Sequence, residues 1–158
     1  MKVESLHLPG VARVTHDVFR DDRGAFMETW QARKYAAAGI DREFVQDNWS
    51  ESRRGVLRGL HYQLTQPQGK LVAVVAGEIF YAVSDRATVL YKCTEFYHPS
   101  SERTLLWDDP DLAIAWPLAP GAMPILSAKD AQGSRLAQAQ VFERDPDEEN
   151  VWQKQGVA

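Results

Sequence analysis

The chain of 158 residues has 44% hydrophobic and 25% charged residues, proportions typical of a folded globular protein rather than a disordered one. This length fits one domain whose core needs no disulfide, and the single cysteine, Cys93, cannot form an internal bridge. The formal net charge of -4 gives no electrostatic footprint for nucleic acid, although it does not exclude a phosphate-bearing ligand held by a few arginines.

The sequence gives no sign of a targeting or membrane segment. The N-terminus lacks an apolar signal region, and no apolar run approaches the length of a membrane span. We therefore predict a cytoplasmic protein without a membrane partner, in which Cys93 has a packing role.

The first quarter of the chain predicts a strand and a helix. Residues 11–19 are rich in β-branched side chains and indicate a strand. Residues 21–24 have turn chemistry, and helix formers over 26–38 end at Gly39, which predicts a short helix with a glycine cap.

The middle of the chain predicts consecutive strands. Residues 43–49 indicate a strand that leads into a polar loop over 50–54, and a second strand follows over 55–63. Residues 70–76 are almost continuously aliphatic, which predicts a buried strand. Another strand is expected to begin at residues 78–81.

The last predicted strand covers residues 86–96, with Ala87, Val89, Tyr91 and Cys93 on one face. From residue 99 the sequence is loop-rich, and we predict a single domain over 1–144 followed by a polar tail over 145–158. Short strands punctuated by turns, with little helix, predict a mainly β protein built as an antiparallel sandwich or barrel.

The segment from residue 54 to 63 is the first candidate for chemistry. In a regular strand Gly59 and His61 share one face and Arg58 points to the other, but a bulge at Gly59 could bring Arg58 and His61 to one cavity. The simpler alternative is that His61 is an ordinary core or surface histidine, since motifs without structural context carry a real risk of false positives.

The amino-acid sequence of several segments resembles that of the dTDP-4-dehydrorhamnose 3,5-epimerases, a family of cofactor-independent sugar-nucleotide epimerases. The matching segments follow the family order through most of the chain: FRDDRG from Phe19, FVQDN from Phe44, GVLRGLHYQ from Gly55, QGKLV from Gln68, GE at Gly77, VLYKCT from Val89 and LSAKD from Leu126. The resemblance implies a cupin-like antiparallel β-barrel or jelly roll with short peripheral helices.

The resemblance also implies the chemistry. The family removes a proton beside a ketone and returns one to the opposite face of the sugar, without a cofactor or metal. Carried over by matching motifs, His61 is the base and Asp130 its partner, Tyr91 is the acid, and Lys70 stabilises the enolate. Three of these residues have plain structural alternatives: Tyr91 as a core tyrosine, Lys70 as a cation at the barrel mouth and Asp130 as a loop-capping aspartate.

For binding, the resemblance implies a dTDP-sugar substrate, with Arg58 on the pyrophosphate and Tyr97 stacked on the thymine or shaping the sugar pocket. It also implies a homodimer, since Glu28 and its neighbours reach across the family interface. The implied substrate-binding residues are Arg23, Glu28, Gln46, Asn48, Arg58, Tyr97, Glu102 and Lys129.

One departure from the family pattern follows Phe80. Several central strands are missing, and with them a family segment that carries a second active-site histidine. This leaves a second hypothesis open, a catalytically impaired member that binds a nucleotide sugar or a partner chain without turnover. A metal-dependent cupin is a third reading, but His7, His16, His61 and His98 are scattered, whereas such sites need clustered ligands.

Overall fold

The structure, a computed structural model, describes residues 1–77 and 81–142. The described chain forms two compact units, Met1–Glu43 and Phe44–Phe142. Both consist mainly of antiparallel strands with a few short helices, which confirms the predicted mainly β class. The single domain over 1–144 stays a prediction, and the predicted tail lies outside the described residues.

The first unit contains two small antiparallel sheets. Strands β1 (Lys2–Ser5) and β2 (Ala12–Thr15) form one pair, and β3 (Phe19–Asp21) and β4 (Gly24–Phe26) form a tight hairpin. The turn predicted at residues 21–24 is confirmed. The predicted strand over 11–19 is divided instead between β2 and the start of β3.

Helix α1 (Ala32–Ala37) is much shorter than the helix predicted over 26–38. Phe26 pairs with Phe19 in the hairpin, so the residues before Gln31 are not helical. The helix begins where the Gln31 side chain accepts a hydrogen bond from the Lys34 N–H at 2.6 Å. It ends before Gly39, whose φ of 88° confirms the predicted glycine at the C-terminus.

The second unit is built on a three-stranded antiparallel sheet. Its order is β5 (Gln46–Arg53), β8 (Arg86–Cys93), β7 (Lys70–Ala76), with β8 in the centre. The polar loop predicted over 50–54 was wrong for residues 50–53, because those residues pair with β8 through to Arg53 opposite Arg86. Polar side chains occur in β5 because much of this strand lines a cleft rather than a core.

Strand β7 has the predicted position but not the predicted burial. Val72, Val74 and Val75 are exposed to 41%, 43% and 60%, so the prediction of a buried strand was wrong. Among the described strands, β7 pairs with β8 alone and therefore forms an edge of the sheet. An aliphatic run is buried on both faces only when other elements cover it. The strand predicted at 78–81 falls largely on residues 78–80, outside the described part.

The predicted strand over 55–63 is interrupted. Only β6 (His61–Gln63) is regular, paired with β9 (Glu102–Thr104) in a region expected to be loop. Gly59 has a φ of 135°, a conformation that favours glycine and that breaks the strand before His61.

The chain after residues 78–80 returns to the segment that precedes β6. Tyr81 forms a bridge with Leu57, and the Ala82 N–H donates to the Val56 carbonyl at 2.9 Å. Leu57 and Ala82 are each 1% exposed and belong to the small core of this unit. Ala87 and Cys93 of β8, two residues of one predicted face, are also buried, which confirms a packed position for Cys93.

Two short helical segments complete the second unit. Helix α2 (Ala128–Ala131) follows Ser127, and a 3₁₀ helix covers Leu136–Gln138. No helix in the described part of the chain is long and apolar enough to cross a membrane.

Candidate active site

A histidine–aspartate pair lies in the second unit. His61 Nε2 lies 2.5 Å from Asp130 Oδ1, across 69 positions of sequence. Strand β6 supplies the histidine and helix α2 the aspartate. The His61 side chain remains 25% exposed, whereas that of Asp130 is 4% exposed. The imidazole is therefore fixed on one side and accessible on the other.

Asp130 is held as an anion by its local helix start. The Ser127 hydroxyl donates to Asp130 Oδ2 at 2.6 Å, and the Ser127 N–H approaches the same oxygen at 3.4 Å. Burial acts to raise the pKa of Asp130, but the hydrogen bonds from Ser127 and His61 outweigh it and the pKa lies below its usual value. An ionised carboxylate fixes the orientation of the imidazole.

The other ring nitrogen of His61 faces a second, separate network. His61 Nδ1 lies 3.9 Å from Glu102 Oε1. Lys129 Nζ donates to that same oxygen at 2.8 Å, and the Tyr97 hydroxyl donates to Glu102 Oε2 at 2.8 Å. Burial acts to raise the pKa of Glu102, but these two donors bring it below its usual value. Nδ1 is thus the nitrogen left free of the Asp130 bond.

Tyr91 and Lys70 lie on the sheet that faces this pair. In the β7–β8 register Val72 stands opposite Tyr91 and Lys70 opposite Cys93, so all four side chains share one face. Lys70 Nζ lies 5.8 Å from the centroid of the Tyr91 ring. Burial raises the pKa of Tyr91, and Arg58 and Lys129 only partly offset this effect. The phenol therefore stays protonated at neutral pH.

Arg58 lines the same cavity as His61, as expected for a bulged backbone at Gly59. Its Nε donates to Ser52 Oγ at 2.8 Å and one terminal nitrogen donates to the Glu51 carbonyl at 3.0 Å. These bonds fix one edge of the guanidinium and leave its remaining N–H groups available for an anion.

The cleft consists of two cavities of about 300 and 350 Å³ that share four lining residues: His61, Lys70, Tyr91 and Lys129. The first is also lined by Gln46, Asn48, Tyr97 and Glu102, and the second by Arg58 and Asp130. The predicted catalytic residues and most of the predicted binding residues therefore meet around one cleft.

Gln46 and Asn48 are already ordered by contacts within the cleft. Gln46 Nε2 donates to Asn48 Oδ1 at 2.8 Å, and Gln46 Oε1 accepts from the Tyr97 N–H at 2.9 Å. Burial raises the pKa of the Cys93 thiol, which accepts a weak contact from Asn48 Nδ2 at 3.6 Å. Cys93 is thus a wall residue rather than an activated nucleophile.

The two remaining predicted binding residues, Arg23 and Glu28, belong to the first unit. There Arg23 pairs with Asp21, and Glu28 pairs with Lys34 Nζ at 2.7 Å. Their roles in binding stay predictions.

Two site residues were not predicted from the sequence, Ser127 and Ser52. The Ser-x-x-Asp spacing from Ser127 to Asp130 is a capping-box pattern, and that signal could have identified Ser127. Ser52 carries no such signal, since it contacts Arg58 through the fold alone.

Among residues 1–77 and 81–142, no group of three or more histidine, cysteine, aspartate or glutamate side chains is arranged to hold a metal ion. The described cleft instead combines a carboxylate-bound imidazole, a protonated phenol and an ammonium group. These groups on a mainly β scaffold define a general acid–base enzyme.

Comparison with known proteins identifies the family of enzymes to which the chain belongs. The family model for dTDP-4-dehydrorhamnose 3,5-epimerase matches residues 5–85 and 79–138. The dTDP-4-dehydrorhamnose 3,5-epimerase of Pseudomonas aeruginosa is 38% identical over 182 residues, covering 90% of this chain and 99% of that protein. The chain belongs to the dTDP-4-dehydrorhamnose 3,5-epimerase family of isomerases.

Two further relatives agree with this assignment. The Neisseria gonorrhoeae enzyme of the same description is 37% identical over 179 residues, and the chain spans about half of it, 54%. The crystal structure of the Legionella pneumophila dTDP-6-deoxy-D-glucose-3,5-epimerase, in complex with dTDP-4-keto-L-rhamnose, has a TM-score of 0.82 and 33% identity. The structural match covers 91% of this chain and 99% of the Legionella chain. This similarity over nearly the whole length confirms the cupin-like fold.

The comparisons are also consistent with the predicted internal deletion. The family model matches in two segments whose ends meet at residues 79–85, and not as one continuous match. The alignment with the Pseudomonas enzyme spans 182 residues, more than the 158 of the whole chain, so the relative contains residues that this chain lacks.

Proposed function

We propose that this chain converts dTDP-4-dehydro-6-deoxy-D-glucose to dTDP-4-dehydro-L-rhamnose by inverting C3 and C5. The observation that carries the proposal is the 2.5 Å contact between His61 Nε2 and Asp130 Oδ1, in a cleft that Tyr91 and Lys70 also line. Family membership supplies the reaction, and the cleft supplies groups suited to each of its steps.

The base is His61, acting through Nδ1. Asp130 occupies Nε2, so Nδ1 can accept the proton from the carbon next to the C4 ketone. The electron pair of the broken C–H bond moves to the ketone oxygen and forms an enolate. Lys70, the ammonium group on the facing sheet, stabilises this oxygen.

The acid is Tyr91. As the enolate collapses, the phenol gives its proton to the carbon from the opposite face of the ring, which inverts the centre. The imidazolium then releases its proton to water and the phenolate takes one up, so the net reaction consumes nothing. The raised pKa of Tyr91 favours return of the phenol to its protonated form.

For substrate binding, Arg58 has one guanidinium edge free for the pyrophosphate, and Tyr97 offers an exposed ring to stack on the thymine. The remaining binding roles are the sequence-based ones, assigned to Arg23, Glu28, Gln46, Asn48, Glu102 and Lys129. Assembly as a homodimer in the cytoplasm is part of the same proposal, and light scattering of the purified protein tests the dimer.

One observation favours a second candidate function, a member that binds without turnover. Lys70 lies on β7, whose residues are largely exposed and which pairs with one neighbour among the described strands. If this wall is unstable, Lys70 and Tyr91 lose their fixed distance to His61, and rate depends steeply on such alignment.

The experiment that tests the proposal is deuterium exchange into dTDP-4-dehydro-6-deoxy-D-glucose in D₂O, followed by NMR. We expect incorporation at C3 and C5 with wild type, and at least about a 100-fold slower rate with His61→Ala. His7→Ala is the matched control, because His7 is an exposed histidine of the first unit. A folded wild type that gives no exchange but binds dTDP would replace the epimerase with the binding function.

A further inference from the structure

We infer that Ser127 is a positioning residue for catalysis, acting on His61 through Asp130. This inference rests on the proposed function, because it concerns the base of that reaction. It adds a third member to the His61–Asp130 pair. In this arrangement the Ser127 hydroxyl determines which carboxylate oxygen of Asp130 contacts the His61 imidazole.

The geometry is a linear chain of hydrogen bonds. Ser127 Oγ donates to Asp130 Oδ2 at 2.6 Å, and the other carboxylate oxygen, Oδ1, meets His61 Nε2 at 2.5 Å. The two oxygens therefore have separate partners. Rotation of the carboxylate about its Cβ–Cγ bond would break both contacts at once.

The backbone of the same serine strengthens this arrangement. Its N–H also approaches Asp130 Oδ2, at 3.4 Å, and its hydroxyl accepts from the Asp130 N–H at 3.2 Å. This reciprocal pattern is a capping box, which ordinarily serves only to begin a helix. Here the capping carboxylate is also the partner of the catalytic imidazole.

Burial makes the arrangement consequential. Asp130 is 3% exposed whereas Ser127 is exposed, so a water in place of the hydroxyl would solvate Oδ2 without fixing the direction of the carboxylate. Without the hydroxyl, Oδ2 keeps one long contact, to the Ser127 N–H, and the carboxylate can turn away from His61. Effects of this kind act on kcat, because Ser127 is inferred to act through Asp130 and not by holding the substrate itself.

The test compares three substitutions at this position. Ser127→Ala and Ser127→Gly both remove the hydroxyl, but glycine is the better helix cap and destabilises the helix start less than alanine does. Ser127→Thr keeps the hydroxyl. We expect both Ala and Gly to lower kcat about 10-fold with KM within about twofold, and Thr to restore most of the rate.

A purely structural role would give a different result. In that case kcat would follow melting temperature, and glycine would be nearly as active as wild type. Equal kcat for wild type and Ser127→Ala, in folded protein, would also overturn the inference.

A second readout does not depend on turnover. With ¹⁵N-labelled histidine, we expect the His61 Nε2 resonance of Ser127→Ala to move toward that of Asp130→Asn, while Ser127→Thr keeps the wild-type position. An unmoved resonance in Ser127→Ala overturns the inference even if the enzyme is active. A moved resonance in a protein without turnover supports the positioning role while rejecting the proposed function.

Discussion

The cleft has two walls, one formed around β6 and α2 and the other by the sheet that ends in β7. On the first wall Asp130 is 3% exposed and has hydrogen bonds from both His61 and Ser127. On the second wall, Val72 and Val74, close to Lys70 in sequence, are exposed to 41% and 43%. His61, the proposed base, is therefore held by a dense polar network, whereas Lys70, the proposed enolate stabiliser, lies on an edge strand of the described sheet.

This difference indicates which of the proposed catalytic residues depend on the strands next to the predicted deletion. The dyad depends on contacts among β6, α2 and Ser127, and the segment just before β6 is itself paired with Tyr81 and Ala82. Tyr91 lies on the central strand β8 and is supported on both sides by β5 and β7. The position of Lys70 depends on the edge strand β7 alone. Substitutions on the two walls should therefore differ in their effects on rate and stability.

The largest expected effect is that of Tyr91→Phe, which should separate proton removal by the proposed base from proton return by the proposed acid. Tyr91→Phe removes the proton donor but leaves His61 and Asp130 untouched, so product formation should fall about 10²–10⁴-fold. Deuterium should still enter the substrate, because His61 can remove a proton and return a deuteron to the same face. NMR distinguishes exchange with retention from inversion. Loss of exchange in step with product would show that Tyr91 also serves the base.

Lys70→Met tests the exposed wall directly. It removes the charge that we propose stabilises the enolate and keeps a side chain of similar length, so kcat should fall about 10²–10³-fold. Lys70→Arg retains the charge and provides the control. If kcat of Lys70→Met stays within about twofold of wild type, the lysine on β7 is not aligned with the substrate.

The stability of the two regions should differ as well. Leu57→Ala removes a side chain that is 1% exposed and should lower the unfolding free energy by about 2–5 kcal/mol. Val75→Ala removes one that is 60% exposed and should change it by no more than about 0.5 kcal/mol. Urea denaturation followed by circular dichroism measures both. A large loss in Val75→Ala would mean that β7 is covered in solution, for example by a second chain.

The smallest expected effect is the contribution of Asp130 to the free energy of unfolding at acidic pH. The pKa of Asp130 is below its usual value of 3.8, so its ionised form stabilises the folded state. That contribution is fully present above the usual pKa and is lost as the pH falls through the lower, folded value. The difference in urea midpoint between wild type and Asp130→Asn should therefore narrow on acidification below about pH 4. A constant difference would show that Asp130 is not held as an anion.

Much of the candidate site followed from local sequence. His61, Asp130, Tyr91 and Lys70 were predicted as a set because they stand in motifs of one family in the right order. The turn at residues 21–24 and the positions of β7 and β8 followed from turn chemistry and from runs of strand-forming residues. The helix expected over 26–38 failed at its start because hairpin pairing of Phe26 with Phe19 outweighed weak helix propensity.

The amino-acid sequence by itself determined the family, the acid–base groups and the mainly β class, since these depend on residue types and their order. The tertiary structure decided which ring nitrogen of His61 stays free, that Ser127 supports Asp130, and that Glu102 meets Lys129 and Tyr97. It also decided that the aliphatic strand β7 is an exposed edge. These features depend on contacts between residues distant in sequence, and local patterns do not encode which neighbours a strand or side chain finally meets.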